Sequence, residues 1–256
     1  MPFAPLDNWR SPPPQPTKVA WLGQWQFAHR GLHSAGVPEN SPSAFAAALA
    51  HGMGIECDVR RTRDGQAAVF HDAALDRLTG VSGPLTAHSA EELGRIVLSG
   101  SADTIPTLRG LLNQLGGRVP VLIEIKSQRK DGTRIRALCL AVLRALEGYQ
   151  GQHAVMSFDP RVVHWFAVHS ALTVRGLVVT EEHGKTLFGR VKRRLALWYA
   201  RPDFLAYDIR DLPSRFAAAQ RKRGLPVLTW TVRSQEHRER ATLYADAAIA
   251  EGAGVA

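Results

Sequence analysis

The sequence of 256 residues has only two cysteines, Cys57 and Cys139, which excludes a disulfide framework and agrees with a reducing compartment. It lacks any uncharged apolar run approaching the roughly 18 residues that span a bilayer. Met1 to Gln24 shows no charged segment followed by an apolar core, so the expectation is a cytoplasmic protein, neither exported nor membrane-spanning. Zinc-finger spacing, a P-loop and an RNP-like aromatic motif are all absent, as are internal repeats and a linker that would divide the chain. Acidic residues are in the minority: 23 Asp and Glu face 32 Lys and Arg, a net charge of +9. That balance suits phosphate-bearing partners or an anionic membrane surface. Without a recognition motif, nucleic acid is not the expected partner.

What is present is a regular alternation. Short runs rich in Val, Ile and Leu predict strands at Gln24 to Ala28, Gly54 to Val59, Val121 to Ile125, Ala154 to Ser157, Val174 to Val179, Phe204 to Tyr207, Val227 to Trp230 and Ala247 to Ala250. Helical periodicity lies between them over Ser43 to His51, Thr133 to Leu146, Arg161 to His169, Lys185 to Ala200, Ser214 to Arg223 and Gln235 to Tyr244. Eight parallel strands with intervening helices in this length predict an α/β protein of the (β/α)8 TIM-barrel class, with its site at the C-terminal strand ends. A small insertion between strands two and three, about 66–120, is expected to begin with a short strand at Ala67 to Phe70. The barrel domain would run over 23–256. The proline-rich stretch 1–22, with Pro12, Pro13, Pro14 and Pro16, predicts an extended surface arm.

Polar residues interrupt these strands at their C-terminal ends: His29 and Arg30 after strand one, Glu56 and Asp58 in strand two, Glu124 and Lys126 at strand three, then Ser157, Asp208 and Trp230. The strand period of two puts Glu56 with Asp58, and Glu124 with Lys126, on one face. Converging carboxylates are costly to bury without a cation, and oxygen ligands suit Mg2+ or Ca2+. The plainer alternative is an ion network in which Glu56 or Glu124 pairs with Lys126 or Arg30. Among ten histidines, His29 and His71 are the candidates for acid and base; the other eight, His183 included, read as surface or capping residues. Arg30 and Lys126 offer positive charge to phosphate oxygens.

Taken in order, His29-Arg30-Gly31, Pro38-Glu39-Asn40-Ser41, Glu56-Cys57-Asp58-Val59, Thr62-Arg63-Asp64-Gly65, His71-Asp72, Ile105-Pro106-Thr107-Leu108, Ile123-Glu124-Ile125-Lys126, Ser157-Phe158 and Trp230-Thr231-Val232 resemble the motifs of the glycerophosphodiester phosphodiesterase family. The resemblance spans about Gln26 to Ile249. It implies a TIM-type barrel that hydrolyses glycerophosphodiesters to sn-glycerol 3-phosphate and an alcohol with one divalent cation. By the same resemblance Glu56, Asp58 and Glu124 are metal ligands and His29 and His71 the acid/base pair. Arg30 holds phosphate, Glu39 lies close to the metal or the glycerol, and Lys126 and Trp230 line the pocket. Either water or a neighbouring hydroxyl of the substrate serves as the nucleophile. Two departures fall in the late strands: Arg233 stands where the family often has Asn, and Ala250-Glu251 replaces its closing Thr-Asp or Thr-Asn.

The segment Lys185 to Arg201 carries six basic residues and no acidic one. Its plain reading is a barrel helix with Leu187, Phe188, Val191, Leu195, Trp198 and Tyr199 turned to the sheet. The sharper reading is peripheral contact of 185–201 with the anionic inner face of a membrane. It accompanies an alternative activity, lysophospholipase D-like hydrolysis of lysophospholipids. A barrel that only binds phosphodiesters is a further alternative, against which the full set of histidines and carboxylates speaks.

Overall fold

The computed structural model describes residues 3–127, 132–182 and 184–255; His183 lies outside the described residues. Along the chain run β1 (Phe27–Ala28), β2 (Gly54–Arg61), β3 (Ala67–Val69), β4 (Val121–Ile125), β5 (His153–Ser157), β6 (Val174–Val179), β7 (Phe204–Asp208), β8 (Val227–Val232) and β9 (Ala247–Ala250). With β3 set aside, eight strands alternate with helices in the order expected of a (β/α)8 barrel. The chain groups into two compact units, Phe27–His153 and Ala154–Ala256 with Met1–Gln26.

In the Phe27–His153 unit, β1 and β4 pair parallel to β2, while β3 pairs antiparallel to its C-terminal end. The helix Pro42–Ala50 starts at Ser41, whose hydroxyl accepts a hydrogen bond from Ala44 N, so one orphan amide of the first turn is satisfied. A helix at Leu108–Leu115 falls inside the stretch read as an insertion. Thr107 caps it, Gly116 ends it in the left-handed region, and Leu108, Leu111, Leu112 and Leu115 form its buried stripe. The irregular part therefore ends at Thr107. It has its own small core of Phe70, Leu75, Leu85, Leu93, Leu98 and Ile105, which is why a segment with so little regular structure holds its shape.

In the other unit β5 to β9 pair in parallel, each with its neighbour. The helices Pro160–His169, Leu187–Ala200, Arg215–Lys222 and Gln235–Tyr244 connect them. Leu205, Tyr207, Val227, Val232, Leu197 and Ala200 belong to one buried cluster here. Each buried Leu or Val side chain in it contributes about 1.5–3 kcal/mol through its removal from water. The expected extended arm is instead partly helical, over Ala4–Arg10 and Pro16–Val19. Prolines are tolerated in a first turn, where their missing N–H has no partner to lose, and Pro5 and Pro16 occupy such positions. Asp7 fixes the first of these helices: its buried carboxylate accepts from Arg194 Nη1 at 2.7 Å, Trp198 Nε1 at 2.9 Å and Gln220 Nε2 at 3.1 Å.

Candidate active site

The parallel register sets Asp58 beside Glu124, and the strand period adds Glu56 to the same face of the sheet. All three carboxylates are buried, and each offers an oxygen such that the three lie within 4.8 Å of one another. Two cations face them. Lys126 Nζ lies 2.7 Å from Glu124 Oε1 and 2.9 Å from Asp58 Oδ1, and Arg30 Nε lies 3.2 Å from Asp58 Oδ2. Asp58 Oδ1 and Arg30 Nε meet their partners outside ideal hydrogen-bond geometry, so the Asp58 contacts to Lys126 and Arg30 are chiefly Coulombic.

That charge imbalance appears in the protonation. Burial, then the charges of Asp58 and Glu124, push the Glu56 carboxyl well up. Burial likewise raises Glu124 against the pull of Lys126. At Asp58 burial pushes upward too, but Lys126, Arg30, His71 and the Asn40 hydrogen bond together outweigh it and hold the group ionised. A cluster of buried carboxylates in which burial and mutual repulsion raise two of the three carboxyls, and which offers only oxygen donors, fits a hard divalent cation.

The loop after β1 brings His29 and Arg30 to these carboxylates. Arg30 and Gly31 both have positive φ, 57° and 78°, which reverses the chain so that Arg30 N donates to Glu56 Oε2 at 3.0 Å. Gly31 is required sterically as well, because a Cβ there would lie 2.9 Å from Ala44. His29 is buried with Nε2 4.0 Å from Glu56 Oε2. Asn40, also at positive φ, joins the loop to β2: its N donates to Arg30 O, its Nδ2 donates to Asp58 Oδ2 at 3.0 Å, and its Oδ1 accepts from Asp58 N at 3.1 Å.

His71 arrives from the segment after β3. Its Nδ1 lies 2.7 Å from Asp72 Oδ1, and Asp72 Oδ2 accepts from Arg77 Nε at 2.5 Å. Arg77 also donates to both Glu39 oxygens, at 2.7 and 3.1 Å, and Glu39 Oε1 accepts from Arg30 Nη1 at 2.8 Å. Glu39 is thus clamped between two guanidinium groups, which overcome its burial and keep it ionised. Burial lowers the His71 pKa, with the Lys126 and Arg30 charges adding to that and Asp58 and Asp72 opposing it.

Eight of the nine site residues expected from the sequence therefore share one network: His29, Arg30, Glu39, Glu56, Asp58, His71, Glu124 and Lys126. The ninth, Trp230, belongs to β8; its Nε1 donates to Ala206 O and its ring meets Phe158 edge to face at 5.3 Å. Near it in sequence, the two unusual residues pair with each other, Arg233 Nε lying 2.5 Å from Glu251 Oε1. Sequence reasoning missed Asn40 and Arg77. Asn40 stands inside a quoted motif, where an Asn just before a helix-capping Ser reads as a turn residue. Arg77 carries no local signal, since its partners lie 5 and 38 residues away.

A chain that alternates eight strands with helices and holds this cluster at β2 and β4 matches the model of the glycerophosphoryl diester phosphodiesterase family over residues 29–255. The protein belongs to that family, and its fold is a (β/α)8 barrel. A glycerophosphodiester phosphodiesterase of Bacillus altitudinis is 41% identical over 39% of this chain and 43% of its own length. A putative glycerophosphodiester phosphodiesterase of Bacillus subtilis is 27% identical over 82% of this chain and 86% of its own. The match spans less than half the length of the first curated relatives. Among solved structures, an Oleispira antarctica phosphodiesterase in complex with the product sn-glycerol-3-phosphate superposes with a TM-score of 0.75 at 20% identity, covering 88% of this chain and 92% of that one.

Proposed function

We propose that the protein hydrolyses glycerophosphodiesters to sn-glycerol 3-phosphate and an alcohol, with one Mg2+ or Ca2+ held by Glu56, Asp58 and Glu124. The observation that carries this is the buried carboxylate trio, Glu56, Asp58 and Glu124, each offering an oxygen within 4.8 Å of the other two. A bound divalent cation supplies charge neutralisation at the phosphate. Arg30 and Lys126, already beside these carboxylates, orient the non-bridging phosphate oxygens.

His71 acts as the base, taking the proton of the attacking oxygen, water or a neighbouring hydroxyl of the substrate, whose bond to phosphorus replaces that of the leaving alcohol. Its Nδ1 is engaged by Asp72, which leaves Nε2 as the lone-pair nitrogen of a neutral ring, and its lowered pKa keeps the ring neutral near pH 7. His29, buried with Nε2 4.0 Å from Glu56 Oε2, delivers a proton to the leaving alkoxide. Glu39 holds Arg30 in place and lies close to the glycerol. Trp230 is assigned to the substrate by the family motif Trp230-Thr231-Val232.

In this reading the enzyme consumes deacylated phospholipids in the cytoplasm, where the buried Cys57 and Cys139, neither in a disulfide, stay reduced. Among the described residues no helix is long and apolar enough to cross a membrane, so contact with its inner face through 185–201 would be peripheral. The exposed apolar side chains of that helix favour a second reading, lysophospholipids as substrate.

The test is an assay on glycerophosphocholine, glycerophosphoethanolamine and lysophosphatidylcholine, with and without EDTA, beside His29→Ala. Release of sn-glycerol 3-phosphate that is abolished by EDTA and by the substitution supports the reading. Activity that survives either one overturns it, and turnover of lysophosphatidylcholine alone selects the second substrate class.

A further inference from the structure

The helix Leu187–Ala200 contradicts the plain expectation for a barrel helix. Only Leu197 and Ala200 are buried, whereas Leu187 and Phe188 are 76% and 77% exposed and Val191 and Leu195 about half exposed. These four span the first two turns and the start of the third, so the apolar surface is a continuous strip rather than scattered residues. Among them stand Lys185, Arg190 and Lys192, all exposed, with no acidic residue from 184 to 202. Arg190 and Lys192 have no carboxylate partner among the described residues. The neighbouring Arg193 and Arg194 differ, being held by Glu181 at 3.2 Å and Asp7 at 2.7 Å.

Beside the strip lies a groove of about 870 Å3, walled by Phe3, Leu187, Val191, Leu195 and Phe216, with Arg190 and Arg215 also lining it. Its two acids are already engaged. Glu181 accepts from Tyr207, Ser214 and Arg193, and Asp211 accepts from Glu181 N and Thr180. What the surface offers a partner is apolar contact and the unopposed positive charge of Arg190 and Lys192, joined by the exposed Lys185, whose Nζ lies 3.9 Å from Asp211 Oδ1.

We propose that this face docks on an anionic phospholipid bilayer, with Leu187, Phe188, Val191 and Leu195 entering the boundary between headgroups and acyl chains while Lys185, Arg190 and Lys192 meet the phosphates. The charge pattern selects this occupant. Nucleic acid would use the cations and leave four large apolar side chains in water. A second copy meeting this face with its own would set cation against cation. Anionic lipid uses both properties at once.

Flotation of the full chain, without substrate, tests this on vesicles of phosphatidylcholine alone and of equimolar phosphatidylcholine and phosphatidylglycerol. The protein should float with the anionic vesicles and not with the neutral ones. The double substitutions Leu187→Ser with Phe188→Ser, and Arg190→Gln with Lys192→Gln, should each lower partition about tenfold, with unchanged thermal melting because all four side chains are exposed. Absence of flotation, or flotation indifferent to both pairs, overturns the proposal. So does binding to a duplex oligonucleotide as tight as to vesicles, or a dimer in solution that dissociates on Phe188→Ser. Because only binding is read, failure here leaves the hydrolytic reading untouched.

Discussion

Two buried acidic sites in this molecule are built on opposite accounts of charge. At Asp7 a single carboxylate meets three donors, one of them the guanidinium of Arg194, and nothing is left over. At β2 and β4 three buried carboxylates crowd together, Lys126 and Arg30 contact Asp58, and burial with the neighbouring charges pushes the Glu56 carboxyl up. The first arrangement stabilises the fold by itself. In the second the carboxylates repel one another, and in the proposed function a divalent cation would relieve that repulsion.

The contrast breaks most decisively at Glu124. Glu124→Gln should lower turnover by about a thousandfold or more, since it removes one of three ligands. It should also raise the melting temperature of the metal-free protein by relieving repulsion, and calorimetry would show weakened Mg2+ or Ca2+ binding. A melting temperature that drops would mean that this carboxylate is structural like Asp7. Next in size, His71→Ala should cost about a hundredfold to ten-thousandfold in kcat without weakening metal binding, the range for loss of a general base.

Arg77→Gln probes the outer side of the network. Arg77 touches no reacting atom in this reading; it positions His71 through Asp72 and Arg30 through Glu39. Its loss should cost about tenfold to a hundredfold, mostly in kcat, with a shifted pH profile that a merely structural role would not produce. The smallest catalytic effect belongs to Asp7→Ala, which should leave kcat unchanged yet lower stability by about 2–3 kcal/mol, the cost of unpairing buried charge-assisted hydrogen bonds. Burial opposes ionisation of Asp7, but its three donors prevail and depress its pKa in the folded state. Its contribution is therefore present above the unfolded value of about 3.9 and fades as pH falls through the folded one. Denaturant titrations of the two proteins should converge in acid.

The comparison also shows which features a sequence exposes. Strands β4, β6 and β9 fell on their expected bounds because each is a short, mostly apolar run that a proline or polar residue ends on either side. The carboxylate trio was legible because strand alternation is strict, so spacing by two became a shared face. Leu108–Leu115 was missed although its leucines follow helical spacing, because it lies at the end of an irregular stretch that had been assigned as one block. The arm at Ala4–Arg10 was missed because its determinant, Asp7, acts through Arg194, 187 residues away. Arg77 failed for the same reason on a smaller scale. Of the face that periodicity suggested, Trp198 is partly buried but Leu187, Phe188, Val191, Leu195 and Tyr199 are exposed, while Leu197, off that face, is buried; no local signal distinguishes a helix face that meets the sheet from one that meets nothing in its own chain.

The alternation that turns Glu56 and Asp58 to the site turns Cys57 away from it, fully buried. Burial, then the two flanking carboxylates, push its thiol well above the usual range, so almost no thiolate exists at neutral pH. A cysteine between two proposed metal ligands is thus chemically silent. Alkylating agents and peroxide should leave activity unaffected for as long as the protein stays folded, and the site keeps its chemistry under oxidative stress that disables enzymes with a reactive thiol at this position.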